Sequence, residues 1–581
     1  MTINKPRISL KRYIMQYKAD IACTAVCTLI TVGVSLYLPF LMRQAIDGLT
    51  ESTLSRTGLR DLLLQYGGLS LVAIVFSRYL RKIPLKLSHK VEFSLRNDVF
   101  DHLTRMDQAF FRQERTGDLM TRMSSDMNLL RDAVGQGLLQ GIRTGTVLVM
   151  ASVVMLITDP KLAFIVLGLY FPMTGIFFLV LRTMRHRQKV LQEQVSDVSN
   201  FCQESFAGIR CIKGFALEER RIGLFEYLNK DLVRLHMHVQ AGRQSLWPFM
   251  AFWFCLSVMM ILNVGGRQVI RGERSLGTLV QFMQYLLYMQ WPLLALSWIL
   301  SLFQRGKVSW ERIKHILEQT PCITDTDQTD HQIEQLTGDI DMRGLSLELN
   351  NRRFLTDICL KIPAGTTLGI TGPTGSGKTL LVSLVARLMD PTTGNIRLDG
   401  HDIKVIPLSV LRQHIGFAAQ EPVLFSRTLE HNIGFGVQEP DEALIHWAAE
   451  VAHLTADIHD FPERFDTLLG ERGVTLSGGQ RQRTSIGRAV ARHPDILILD
   501  DVLSAVDTQT EAAIMKKLQP VMLQRTTLFV SHRISTLRYA DDIVVIEDGS
   551  ITQHGTHDEL IARPGYYSEL NTLQQIQSQL E

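Results

Sequence analysis

Four stretches of this chain carry no Asp, Glu, Lys or Arg, and nothing else in the sequence constrains the fold so strongly. Ile21 to Met42 runs for 22 residues, Leu162 to Leu181 for 20, Gln244 to Gly266 for 23 and Ser275 to Gln304 for 30. A bilayer core excludes charge, and about 20 helical residues at about 1.5 Å each cross roughly 30 Å of hydrocarbon. Two shorter runs, Leu62 to Ser77 and Thr144 to Thr158, reach that length once the apolar flanks Tyr79-Leu80 and Val134 to Ile142 are added. Arg78 and Arg143 then fall near an interface. The expectation is an α-helical membrane domain over residues 1–317, with spans at about 21–42, 62–80, 135–158, 162–181, 244–266 and 275–304. The overall hydrophobic share of 46% conceals this half, since it averages over a second half with no such run.

Lysine and arginine set the orientation. Lys5, Arg7, Lys11, Arg12 and Lys18 precede the first span, and Arg78, Arg81, Lys82, Lys86 and Lys90 follow the second. Both flanks are expected in the cytoplasm, as are both termini, in a multi-pass protein of the inner (plasma) membrane. Arg267, Arg271 and Arg274, between the fifth and sixth spans, run against the rule but are outnumbered. The first apolar stretch is too long for a cleaved signal peptide. The seven cysteines, with no metal-type spacing, are expected as free thiols in membrane or cytoplasmic segments. A net charge of only +3 excludes a nucleic-acid partner held by a basic face.

Arg78 to Val134 and Arg182 to Arg243 are too long for structureless loops. Val91, Leu95, Val99 and Leu103 recur at helical spacing, so each loop is read as two helices prolonging the spans into the cytoplasm. Arg115 to Leu119 and Glu204 to Arg210 would form the tips and dock a cytoplasmic domain.

That domain is expected over residues 338–581, after a polar linker at 318–337. Short β-rich runs and amphipathic helices mark it as α/β. The strand-like Thr367 to Thr371 leads into Gly372-Pro373-Thr374-Gly375-Ser376-Gly377-Lys378-Thr379 and then a helix. This is a phosphate-binding P-loop in its strand–loop–helix setting. Backbone N–H groups close around phosphate, Lys378 reaches the β and γ phosphates, and the Thr379 hydroxyl ligates Mg²⁺. Ile496 to Leu499 ends in Asp500-Asp501, the Walker B arrangement, with Asp500 placed for Mg²⁺. Leu476-Ser477-Gly478-Gly479-Gln480 opens another helix with an N-terminus suited to an anion.

Leu-Ser-Gly-Gly-Gln is the signature of the ATP-binding cassette superfamily. The whole chain resembles a half-size ABC exporter of the type IV fold. It is similar in detail to the bacterial multidrug-type Mdl half-transporters through Arg115 to Met120, Trp291 to Leu296 and Asp500 to Asp507. The resemblance implies ATP-driven export of amphipathic substrates such as a drug, lipid or peptide, with ATP and Mg²⁺ as cofactors. It gives Gln420 the Q-loop role at Mg²⁺ and the attacking water, Ser504 and Asp507 the D-loop, Gly470-Glu471-Arg472-Gly473 the X-loop, and His532 the γ-phosphate. It also implies a head-to-tail dimer in which Leu476 to Gln480 serve the partner's ATP.

Two departures matter. The family usually has Glu after Walker B, where this chain has Asp501, one methylene shorter. A carboxylate displaced by about 1 Å can cost on the order of a hundredfold in rate. Slow hydrolysis at this chain's own Walker site is therefore expected. The chain resembles the degenerate half of a heterodimer, with a homodimer as the other reading. The second departure is Leu349 at the position that register assigns to the base-stacking aromatic, with Phe354 nearby but offset. In the sixth span, Gln281, Gln284, Tyr285 and Tyr288 share a helical face and are the candidate substrate pathway. A regulatory half contributing mainly its signature, or a siderophore importer on the same fold, are the alternatives.

Overall fold

The computed structural model describes residues 9–349, 351–470, 473 and 475–580. Its chain divides into two compact units, Met1–Thr104 with Thr116–Gln319, and Arg105–Arg115 with Thr320–Glu581.

The first unit is helical throughout. Five helices among the described residues are long and apolar enough to cross a membrane: Lys18–Thr50, Arg56–Thr104, Thr116–Thr158, Pro160–Ala207 and Glu218–Ile270. The sixth expected span lies within the helix Leu276–Leu317. Arg56–Thr104 and Pro160–Ala207, of 49 and 48 residues, continue from their spans into the polar loops and end within them. Buried threonines fit the apolar interior by donating back to their own helix, as Thr24 does to Asp20 O at 2.8 Å and Thr28 to Thr24 O at 2.7 Å. Val32, Leu36, Met155, Val166, Ile261 and Phe282 share one core.

Two carboxylates tie the helix ends nearest the short loops. Asp159 caps the helix Pro160–Ala207 through Leu162 N–H and accepts from Arg274 Nε at 2.7 Å. Asp47 accepts from the Ser275 hydroxyl at 2.7 Å and Gly277 N–H at 2.8 Å. Only glycine suits position 277, where a Cβ would meet Asp47 Oδ1 at 2.5 Å. The Arg274–Asp159 pair supplies a structural reason for one of the arginines that runs against the positive-inside pattern.

The second unit contains two sheets. One is antiparallel and joins β1 (Ile340–Leu349), β2 (Arg352–Ile362), β4 (Thr393–Leu398) and β5 (His401–Asp402) in the order β2-β1-β4-β5. The other joins β3 (Thr367–Thr371), β6 (Ile415–Ala418), β7 (Ile496–Asp500), β8 (Thr526–Val530), β9 (Asp542–Glu547) and β10 (Ser550–Gly555) in the order β10-β9-β3-β8-β7-β6. Strands β3, β7 and β8 are parallel and buried at every residue. A strand covered on both faces is apolar over most of its length, and the buried polar residues of these three, Thr367, Thr371, Asp500, Thr526 and Thr527, stand at their ends. Their carboxyl ends lie side by side, where a parallel sheet forms its ligand crevice.

Residues 320–337 belong to this unit. Asp325 accepts from Leu408 N–H at 2.9 Å, Asp330 N–H donates to Val405 O at 2.8 Å, and Thr337 N–H donates to Asp399 at 2.6 Å. Arg105–Arg115 belongs to it as well. Asp107 caps the short helix Gln108–Gln113 and accepts from Cys322 N–H at 2.8 Å. All seven cysteines are free thiols.

Candidate functional site

Strand β3 delivers the chain into the P-loop, and the loop's path depends on glycine at two tight points. Gly372 has φ +145°, and a Cβ there would lie 2.0 Å from Ile546 O. Gly377 has φ +102°, and a Cβ would meet Phe354 O at 2.9 Å. Both conformations are costly for other residues. Lys378 opens the helix Lys378–Val385 and turns back, its Nζ donating to Gly372 O at 2.9 Å and Pro373 O at 2.7 Å. Burial lowers the Lys378 pKa, with Asp501 and Asp500 opposing that shift.

The next strands add the acids. Thr379 donates through its hydroxyl to Asp500 Oδ1 at 3.0 Å, joining the two Walker motifs. Asp500 is 1% exposed, and burial pushes its carboxyl up to about 6 despite that hydrogen bond. Asp501 stands just beyond β7 at φ +48°, an uncommon conformation for a residue with a Cβ. Its N–H donates to Val530 O at 3.1 Å and its carbonyl accepts from the Ser504 hydroxyl at 2.8 Å, so the backbone is held at both ends. Its Oδ2 accepts from Gln420 Nε2 at 3.4 Å. Burial raises the Asp501 carboxyl, opposed chiefly by His532. Burial lowers the His532 imidazole, and Lys378 acts in the same direction.

These groups line a cavity of about 210 Å³ together with Thr374, Gly375 and Phe354. Lys378, Thr379, Gln420, Asp500, Asp501 and His532 are thus brought together around one space. Ser376 Oγ, nearby in the loop, is buried and without a hydrogen-bond partner among the described residues. A glycine cradle, a buried cation and an unpartnered hydroxyl suit a polyphosphate. Mg²⁺ commonly takes few protein oxygens and completes its shell with phosphate and water. Thr379, Asp500 and Gln420 fit that pattern, and no cluster of three or more His, Cys, Asp or Glu suited to a metal occurs among the described residues.

Leu349 does not line this cavity. Strands β1 and β2 shift register three times between Met342 and Glu348, which defeats residue counting, and Leu349 packs partly buried against the apolar core. Phe354 lines the cavity in its place, with the Arg352 guanidinium 5.2 Å from its ring centroid.

Leu476 to Gln480 are likewise absent from the lining. Ser477 caps the helix Gly478–Ala491 in a reciprocal box with Gln480, and Gln480 Nε2 reaches Asp457 at 2.8 Å. Ser504 accepts from Gln482 Nε2 at 3.1 Å, and Asp507 caps the helix Thr508–Met522. Hydrogen bonds led by the Thr510 N–H lower the Asp507 carboxyl. The brace from Gln482 to Ser504 and to Ala505 N–H has no sequence signal of its own, two residues beyond the signature. Glu471 and Arg472 of the expected X-loop lie outside the described residues.

The four residues proposed for the membrane pathway separate. Gln281 and Tyr285 are 1% and 0% exposed. Gln281 Nε2 lies 2.8 Å from Tyr285 Oη, which donates to Leu36 O at 3.0 Å, so both are taken up in helix packing. Gln284 and Tyr288 line a cavity of about 920 Å³ with Tyr66, Arg143, Trp291 and Trp298. At about 100° per residue the four span an arc of about 100°, with Gln284 and Tyr285 at its opposite edges.

Residues 21–293 match the model of the ABC transporter transmembrane region, and residues 355–504 match that of the ABC transporter. Relatives include the uncharacterized ABC transporter ATP-binding protein YknU of Bacillus subtilis, 32% identical over 97% of this chain and 97% of its own. The multidrug resistance-like ATP-binding protein MdlA of Escherichia coli is 32% identical over 96% of this chain and 95% of its own. The ATP-dependent lipid A-core flippase of Syntrophus aciditrophicus is 32% identical over 95% and 92%. The solved structure of a bacterial Atm1-family ABC exporter with ATP bound has the same fold, with a TM-score of 0.79 at 23% identity, covering 96% of this chain and 99% of that one.

Proposed function

The chain belongs to the ABC transporter family as a transport ATPase with transmembrane region and cassette in one polypeptide, and from that premise we propose that it is one half of a heterodimeric exporter of amphipathic compounds whose own ATP site turns over slowly. The observation that carries the slow site is Asp501, the shorter acid, on a backbone held at both ends. Export is supported by the relatives, of which one is named for multidrug resistance and one for lipid flipping. The cavity of about 920 Å³, with aromatic, amide and apolar walls and the cation Arg143, suits an amphipathic compound. Basic residues flanking the first two spans support a plasma-membrane protein with both termini in the cytoplasm.

In this reading the P-loop N–H groups and Lys378 bind the ATP phosphates. Thr379, Asp500 and Gln420 hold Mg²⁺, which neutralises charge on the phosphate oxygens when bound. Asp501 orients the attacking water and His532 faces the γ-phosphate. Leu476 to Gln480, which stand outside the lining of this chain's own cavity, are left to complete the partner's site.

The test is Asp501→Glu in the full-length chain reconstituted in nanodiscs, with and without a co-expressed half-transporter that has Glu after Walker B. ATP turnover at this chain's site should rise about ten- to a hundredfold. An unchanged or lower rate, together with a wild-type chain that self-pairs and hydrolyses rapidly, would overturn the slow-site heterodimer.

A further inference from the structure

The loop that carries His532 is clasped by a side chain from the C-terminal end of the protein. Gln574 lies on the helix Tyr566–Leu580. Its Nε2 donates to His532 O at 2.7 Å, and its Oε1 accepts from Ile534 N–H at 2.9 Å. One amide thus satisfies the backbone on both sides of Arg533. Arg533 itself is bound to Glu511, a carboxylate 3% exposed that also accepts from Ser535 Oγ at 2.9 Å.

The helix that presents Gln574 is anchored. Tyr567 is fully buried, its hydroxyl pairs with His557 Nδ1 at 2.7 Å, and its N–H donates to Gln553 Oε1 at 3.1 Å. Gln574 stands seven residues further on and Asn571, 7% exposed, four further on, so the three share the face turned to the cassette. Two bonds from an anchored support hold the His532 carbonyl and the Ile534 N–H, and so restrain the backbone from which the His532 ring projects. The rest of the loop is fixed independently through Arg533 and Glu511.

We propose that Gln574 is a positioning residue for ATP hydrolysis, holding the His532 backbone so that the imidazole meets the γ-phosphate. It rests on the reading above that His532 acts there. A displacement of about 1 Å at the reacting centre can cost about a hundredfold. Loss of a support one residue removed is expected to cost about tenfold.

Single-turnover hydrolysis of labelled ATP by the full-length chain in nanodiscs reads a slow site as well as a fast one. Gln574→Leu should lower that rate about tenfold, leave ATP affinity within about twofold, and cause no further loss when added to His532→Ala. Leu573→Ala, at an exposed neighbour, should change nothing. An unchanged rate in Gln574→Leu, an affinity loss equal to the rate loss, or losses additive with His532→Ala overturn the proposal. If His532→Ala is silent, the reading of His532 falls first, and Gln574 then has nothing to position. Should Gln574→Leu lower the melting temperature, Gln574→Glu, which keeps an acceptor for Ile534 N–H, replaces it in the same comparisons.

Discussion

Polar side chains serve opposite ends in the two units. Around the P-loop they converge on a cavity. Lys378, Thr379, Asp500, Asp501 and His532 all line one space of about 210 Å³, and burial moves the pKa of Lys378, Asp500, Asp501 and His532. In the membrane unit Gln281 and the Tyr285 hydroxyl are spent on holding two helices together, while Gln284 and Tyr288 face the cavity. In the P-loop, sequence position predicts placement, because phosphate binding demands a contiguous backbone path. In a span it does not, because a step of one residue turns a side chain by about 100°.

The contrast is most severely tested at Lys378. Lys378→Ala removes a buried cation that the cavity cannot replace, and ATP hydrolysis should fall by about 10²- to 10³-fold. Tyr288→Ala, in the other cavity, should leave basal hydrolysis within about twofold. Steady-state ATPase assays on both variants check this, and a comparable loss from the membrane variant would erase the distinction.

The Asp501→Glu rise is the next effect in size, and pH dependence follows. Asp500 keeps its proton in the folded cassette up to about pH 6, whereas an ordinary aspartate releases it near 3.8. Between those values the folded state binds more protons, so this group's contribution favours folding at low pH and is lost as pH rises through about 6. The difference corresponds to about 3 kcal/mol as an order of magnitude. Mg²⁺ needs the ionised form, so the metal-dependent part of ATP binding should weaken by up to about tenfold per pH unit below 6. Melting curves in chelator and in Mg²⁺-ATP from pH 5 to 8 should diverge as pH rises. Parallel curves would mean that Asp500 does not hold the metal.

How far this protein could be read in advance follows the same division. The P-loop, Walker B, Gln420 and His532 were legible because each motif is a local string next to a strand of recognisable composition. Long-range clasps were not. Gln574 to the His532 loop and Gln482 to Ser504 join residues 42 and 22 apart, and an exposed-looking Gln in a polar helix advertises neither. Leu349 illustrates a third limit. Counting along β1 takes no account of its three register shifts against β2, and the aromatic that lines the cavity is Phe354 of β2. Phe354→Ala should therefore weaken ATP binding about tenfold, within the range for loss of an aromatic under a base, whereas Leu349→Ala should act mainly on cassette stability. Nucleotide titrations and melting curves separate the two, and equal binding losses would return Leu349 to the site.

The smallest effects lie within one helical turn of the membrane unit, at Tyr285 and Tyr288. Tyr285→Phe keeps the buried ring but leaves Leu36 O without its donor and Gln281 without its partner, at a cost of about 1 kcal/mol by the measure of hydrogen bonds inside membranes. Its melting temperature should drop slightly while substrate-stimulated ATPase keeps its half-saturating concentration. Tyr288→Phe removes a hydroxyl from a residue that is 40% exposed and lines the cavity, so stability should hold. The half-saturating concentration of a stimulating amphipathic dye should shift a few-fold. The crossed outcome, with Tyr285 moving the dye response and Tyr288 the melting temperature, would mean that the substrate path follows the helix face nearer Leu36 and not the cavity beside Arg143.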